Sequence, residues 1–408
     1  MTIIEFIDEN QIDNLCSTLL FRPDEVILVG ADEDFLNKLS ARYTGVLQRN
    51  KIQTEVSVCA IDLERLSDII GKLELVLRTD SECVFDLTGG SELYLAAVGV
   101  LFGKYGSKVQ MHRYNLGSQK LIDCDTEGNS RTMSPPALQL TDMIEINGGI
   151  IANTEKQGAE VWNLTDEFLG DIRKMWAICS RDSYKWNKMI ARLGEIYAKF
   201  GTGSLRMSFS REQMKLAQLL TRESQNEFLD FIAQLKNVGL LRFNRLEDDT
   251  YRIVFSNEQV RRVLTTSGQI LELKINQILR EIREENPSLA IRDIHTGVIL
   301  DWDGKITSGD INNEIDVMCL QGLIPWFISC KNGKITVDEL YKLNTVATRF
   351  GGSYAKKVLV VSNMTGNGIS RQSLGDRAAE LGITLIDNID VMSDAVLKKK
   401  LIAVCNQP

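Results

Sequence analysis

Apolar and polar positions along the chain follow three textures. Over residues 25–116, short apolar runs (EVILVG, TEVSVC, ECVFDLT, KVQMHRYNL) alternate with stretches of helical period. Those stretches predict helices at about 34–49, at 62–78 and from Ser91 onward in SELYLAAVGVLFGKYG. Strands separated by helices indicate an α/β domain with a parallel, doubly wound sheet over residues 1–150. Residues 133–150 read as its terminal strand and a Gly-Gly exit. Residues 151–182 read as a connecting helical segment in which Trp162 and Trp176 pack between domains. From residue 184 three helical stretches (WNKMIARLGEIYAKFG, REQMKLAQLLT, QNEFLDFIAQLKNVG) precede a hairpin in LLRFNRLEDDTYRIVFS. That order predicts a winged-helix-like unit within a helical linker at 151–266. A second α/β domain is expected over 267–408: helix, strand-rich stretch, hairpin, helix, strand KKVLVVS, helix, strand ITLID, helix.

Within that last part, NNEIDVMCLQGLIPWFISCKNGKITVDE (312–339) alternates on both sides of Gln321-Gly322-Leu323-Ile324. With Leu320 opposite Pro325, antiparallel register sets Asp316 against Ser329 and Glu314 against Lys331. Residues two apart on a strand share a face, so Glu314, Asp316, Ser329 and Lys331 converge while Ile315, Val317, Cys319, Ile328 and Cys330 face the core. Two acids, a hydroxyl and a lysine on one face suit chemistry on a phosphate: carboxylates hold a hard cation such as Mg²⁺ or Mn²⁺, and a lysine orients water or stabilises charge. A surface hairpin with a solvated charge pair fits the same letters.

Two strand ends of the front domain are marked by glycine: Gly30-Ala31-Asp32 and Thr88-Gly89-Gly90-Ser91. Ligands of doubly wound sheets bind at such carboxyl ends. Paired glycines let a phosphate approach the backbone, and the amides opening the Ser91 helix favour an anion. Taken alone, the loop reads first as a glycine turn with Thr88 or Ser91 as the helix cap. No G-x-G-x-x-G or G-K-[ST] occurs, which argues against NAD and ATP.

Composition narrows the setting. The 408 residues carry a net charge of −8 and allow two or three domains. Eight dispersed cysteines without a C-x-x-C pair fit a reducing cytoplasm, and two histidines disfavour His-rich zinc chemistry. No apolar run approaches a membrane span, and the acidic N-terminus lacks the basic region of a signal peptide. Charge is uneven: residues 1–150 hold 13 Lys/Arg against 23 Asp/Glu, whereas 184–265 hold 14 against 9. The basic middle, with Arg206, Arg211, Lys215, Arg242, Arg245 and Arg252, is either a nucleic-acid surface or a spacer whose charges are solvated.

The order D-(x12)-S-x-K around Asp316 and Lys331 resembles the PD-(D/E)xK nuclease core, with Ser329 where the second acid is usual. The resemblance implies that Glu339, on the following helix, supplies the displaced carboxylate, and that Glu272, on the preceding helix, lies near the metal. DLTGGSELYLAAVG resembles the strand-to-helix signature of CARF domains, Rossmann-like sensors of cyclic oligoadenylates in CRISPR systems. It implies phosphate and ribose contacts from Thr88, Gly89, Gly90 and Ser91, with Gly30 and Asp32 at the neighbouring strand end, Asp32 on a ribose hydroxyl. In this order the two motifs resemble the CARF–nuclease effectors of type III CRISPR systems. That family implies a cytoplasmic homodimer that cleaves DNA or RNA with Mn²⁺ or Mg²⁺ when a cyclic oligoadenylate, cyclic tetra-adenylate foremost, binds. On that expectation, Gly90→Asp removes activation with the fold intact, and the signal travels through residues 151–266. Two rival readings are a ligand-responsive nucleic-acid-binding regulator with an inactive nuclease fold, and a stand-alone restriction-like nuclease.

Overall fold

The structure is a computed structural model describing residues 1–8, 11–79, 82–124, 127–152, 162–201, 203–247, 249–302, 312–333, 335–363 and 368–407. It is mixed α/β, with three sheets among the described residues. The first runs β1 (Thr2–Phe6), α1 (Gln11–Phe21), β2 (Glu25–Gly30), α2 (Glu33–Arg49), β3 (Glu55–Ala60), α3 (Leu66–Thr79), β4 (Cys83–Asp86), α4 (Glu92–Tyr105), β5 (Gln110–Asn115), β6 (Lys120–Asp123) and β7 (Ser130–Thr132). Its strand order is β3-β2-β1-β4-β5-β6-β7, parallel through β5 and antiparallel beyond.

The middle strand of the five parallel ones is β1, for which the sequence pattern made no provision. Its five residues are all buried, Glu5 included, so the run shows no amphipathic alternation. Residues 133–150 also depart from expectation: they hold α5 (Leu140–Ile146), and β8 (Ile150–Ile151) joins a different sheet, pairing with β12.

The middle part comprises α6 (Asp166–Cys179), α7 (Ser183–Phe200), β9 (Arg206–Ser210), α8 (Arg211–Met214), α9 (Arg222–Asn237), β10 (Leu241–Arg245), β11 (Thr250–Phe255) and α10 (Glu258–Thr265). The three strands form an antiparallel sheet in the order β10-β11-β9, and β9 is one strand more than the pattern predicted. Trp162 stacks on Phe168, and Trp176 is buried.

The last part follows its predicted order: α11 (Gln269–Glu285), β12 (Ile291–Asp301), β13 (Asn312–Gln321), β14 (Ile324–Lys331), α12 (Val337–Gly351), β15 (Lys356–Val361), α13 (Gly368–Glu380), β16 (Ile383–Ile386) and α14 (Asp394–Cys405). Its sheet order is β16-β15-β14-β13-β12-β8. One face of this sheet (Val317, Cys319, Trp326, Ile328, Val358, Val360) shares a core with α6, α7, α11, α14 and the middle sheet. The other (Met318, Leu320, Phe327, Leu359) shares a core with α12 and with α1, α2 and α5 of the front part. No helix among the described residues is long and apolar enough to cross a membrane.

Candidate active site and ligand loop

The hairpin register is as the alternation predicts: Leu320 pairs with Pro325 and Val317 with Ile328. The connection is tighter than expected, since Gln321 pairs with Ile324 and Gly322 takes the turn with φ of 60°. Past Val317, the Asp316 carboxylate meets the neighbouring strand. Its Oδ2 accepts from the Cys330 N–H at 2.5 Å and from the Ser329 hydroxyl at 3.1 Å. Lys331 Nζ lies 3.8 Å from that oxygen and 3.2 Å from Glu339 Oε2, at the start of α12. Burial works against the ammonium, but Asp316 and Glu339 together outweigh it and hold the Lys331 pKa above its usual value.

These groups line a cleft of about 460 Å³ with Glu314, Leu343 and Val346. Glu314 stands exposed, and Lys331 forms its ion pairs with Asp316 and Glu339. One residue departs from simple alternation. Ile315 packs in the core on the opposite face from Val317 and Cys319. Across from that reversal, on β12, Gly297 adopts φ of 60° between the pairs Thr296–Val317 and Val298–Ile315, with the register unbroken through it. Glu272, in the first turn of α11, has its pKa pushed up to about 8 by burial and by repulsion from Asp316 and Glu314, with Lys331 opposing. Mutually repelling carboxylates are the donor set a hard cation relieves. Among the described residues, however, no three His, Cys, Asp or Glu side chains are gathered into a metal-binding cluster.

At the front sheet, β1 and β4 are neighbours and the Thr88–Ser91 loop leaves the carboxyl end of β4. Thr88 turns its hydroxyl inward: it donates to Asp86 Oδ1 and accepts from the Tyr114 N–H at 2.8 Å. Ser91 precedes α4 but makes no capping bond, so neither candidate cap closes that helix start. Gly89 fits against β1 and α1, and Gly90 against β1 and α4. A Cβ on Gly89 would lie 2.5 Å from Phe6 O, and one on Gly90, whose φ is 100°, 2.7 Å from Phe6 Cβ. Gly90→Asp is therefore a packing lesion, which corrects the expectation of an intact fold. At the adjacent strand end Gly30 lies under Leu36, and Asp32 caps α2, accepting from Phe35 N at 2.9 Å.

Beneath the loop lies a polar cluster that sequence reasoning missed. Glu5 and Asp86 are register partners on adjacent strands, both buried. Glu5 accepts from Thr18 at 2.6 Å and Tyr43 at 2.9 Å, while His112 Nε2 lies 2.9 Å from Ser17 Oγ and 3.9 Å from Asp86. Only an acid inside an otherwise apolar run, TIIEF, signalled it.

The architecture can be compared with solved structures. It superposes on Can2 from Sulfobacillus thermosulfidooxidans in complex with cyclic tetra-adenylate with a TM-score of 0.68, over 100% of this chain and 99% of that one, at 17% identity. The fold is that of Can2. It is equally similar in extent to protein VC1899 from Vibrio cholerae, with a TM-score of 0.75 over 99% and 98% of the two chains, at 18% identity. The similarity to these two structures holds at the level of fold across the whole length of the chain. No family model and no curated protein matches the chain.

Proposed function

We propose that this protein is a metal-dependent nuclease of CRISPR defence, switched on by a cyclic oligoadenylate bound at the Thr88–Ser91 loops of a homodimer. The observation that carries the catalytic half is Lys331 paired with both Asp316 and Glu339: the acid missing at Ser329 is replaced from α12. The sensor half rests on the fold shared with a protein in complex with cyclic tetra-adenylate and on the uncapped start of α4 beside two glycines. On this reading the front part is a CARF domain, the middle a winged-helix-like unit and the last part a restriction-endonuclease-like domain.

Asp316, Glu339 and Glu272 would hold Mg²⁺ or Mn²⁺, whose charge polarises the phosphate and acidifies water. Hydrolysis forms a bond from water oxygen to phosphorus and breaks one phosphodiester P–O bond, the leaving oxygen taking a proton. Lys331 stabilises the charge that builds on the phosphate. Ser329 and the Cys330 N–H fix the Asp316 rotamer. Pairing of two chains is supported by the outer face of α4, where Leu93, Leu95 and Val100 are exposed and nothing lies within 4 Å of a Cβ built on Gly99 or Gly103. The decisive experiment incubates the pure protein with labelled DNA and RNA, with and without Mn²⁺ and cyclic tetra-adenylate. Cleavage needing both supports the reading; cleavage indifferent to the nucleotide removes the sensor, and none under any condition removes the nuclease.

A further inference from the structure

The middle sheet sorts its side chains strictly. Met207, Phe209, Leu241, Tyr251, Ile253 and Phe255 are buried in the core behind it. The opposite face is set by the register: Arg252 stands across from Ser208 and Asn244, and Val254 across from Arg206 and Arg242. Residues two apart share a face, so Arg206, Arg242 and Arg252 stand together, all exposed. The remaining residues there, Ser208, Ser210, Asn244, Thr250 and Val254, include no acid. Among the described residues none of these three guanidiniums has a hydrogen-bond or ion-pair partner.

The other basic residues of this unit are otherwise occupied. Asp249 gathers Arg245, Arg211 at 3.8 Å and Arg222 at 3.9 Å, and Lys215 pairs with Glu212 at 2.8 Å. The helix that would enter a DNA groove in a winged-helix protein, α9, is unsuited to it. Glu223 and Asp230 are exposed, and Glu227 draws Lys185 and Lys188 from α7. Beside the arginine face runs a cleft of about 640 Å³ lined by Lys236, Arg242, Asn244, Val254 and Ser256. The unit is also tied to the catalytic hairpin. Asn187 on α7 exchanges two 2.8 Å hydrogen bonds with Asn332, the residue after Lys331, and α7 then leads towards β9.

We infer that the outward face of β9, β11 and β10, rather than α9, grips the phosphate backbone of the nucleic acid being cut. The inference rests on the nuclease reading above and adds how the substrate is held. Three arginines with small hydrogen-bonding neighbours and no base-reading helix make a sequence-independent contact. About 20 Å of helix separates Asn187 from the end of α7, so substrate must extend several nucleotides beyond the scissile bond.

The test measures affinity for labelled single-stranded and duplex oligonucleotides of several sequences between about 50 and 200 mM salt, using Asp316→Ala to prevent cutting. In that background Arg206→Ser/Arg242→Ser/Arg252→Ser should weaken binding to every sequence alike and make the log–log salt slope shallower by about 2 to 3. Each single change should remove about 0.7 to 0.9 of slope, which keeps the test valid if the triple variant folds poorly. Arg211→Ser and Arg245→Ser should leave the slope unaltered. Unchanged affinity and slope in the triple variant overturns the inference, as does absence of binding by the Asp316→Ala parent. Failure of the nuclease reading is separate: the unsubstituted protein would bind but not cut with metal and activator present.

Discussion

Lys331 stands between two carboxylates, and that arrangement ranks the substitutions at the site. On the proposed nuclease reading, Asp316→Ala and Lys331→Ala should each lower cleavage at least a hundredfold, and Glu339→Ala nearly as much, because each removes a group that would hold charge at the phosphate. Ser329→Ala should cost less than tenfold: Asp316 keeps its bond from the Cys330 N–H. Single-turnover cleavage of one labelled substrate ranks all four, and full activity in Asp316→Ala would sink the nuclease reading. Glu5 supports a second prediction. Burial first, then repulsion from Asp86, raises its pKa from 4.5 to about 8, against the opposing hydrogen bonds of Thr18 and Tyr43. Between those values the folded state keeps a proton that the unfolded chain has released. The stability it contributes is complete below about 4.5, falls as pH rises, and is gone above about 8. Asp86, also raised, slopes the same way. Glu5→Gln should therefore flatten the decline in melting temperature from about pH 5 to pH 8, and an equally steep decline in the variant would refute the assignment.

At the scale of single elements, the start of α4 separates a packing role from a binding role. Gly90→Ala meets both a left-handed backbone and the Phe6 side chain, so it should lose about 1–3 kcal/mol and several degrees of melting temperature. Ser91→Ala removes no capping bond. It should leave the melting temperature unchanged while weakening cyclic tetra-adenylate binding several-fold by calorimetry; undiminished affinity would take the Ser91 hydroxyl out of the ligand site. How much of this was legible beforehand follows from the same physics. The hairpin could be read because polar Glu314, Asp316, Ser329 and Lys331 alternate with apolar Ile315, Val317, Ile328 and Cys330 at the ends away from the turn, so period two fixes the register although both faces nearer the turn are buried. The first strand could not, because β1 is buried on both faces and five residues long. Ile315 was misplaced because it packs on the opposite face from Val317, a reversal that the alternation along β13 does not signal. The helical start at Leu140 was hidden in a run whose apolar residues suit a strand as well.

Across the whole molecule the front and last parts touch directly, which the expectation of a signal routed through residues 151–266 did not include. Asn147 donates to Phe350 O at 2.9 Å, Asn115 to the Tyr354 hydroxyl at 3.2 Å, and Arg292 to Leu138 O. Phe350 lies in the last turn of α12, whose first turn carries Glu339. A shift of α5 is thus applied to the far end of the helix that positions Glu339 against Lys331. Asn147→Ala should loosen that link and reduce the activator's stimulation of cleavage at least several-fold, read as the ratio of rates with and without cyclic tetra-adenylate; an unaltered ratio would exclude this route.

The shared apolar core between the two parts also bears on protein engineering. Met318, Leu320, Phe327 and Leu359 are covered jointly by α12 and by front-part helices, and a Cβ on Gly149 would lie 2.3 Å from Phe350. A front part cut out at residue 150 and fused elsewhere would carry an uncovered greasy face, and the last part left behind would expose its counterpart. Modular transplants of the front part will need to bring the α5–α12 seam with them, or resurface it.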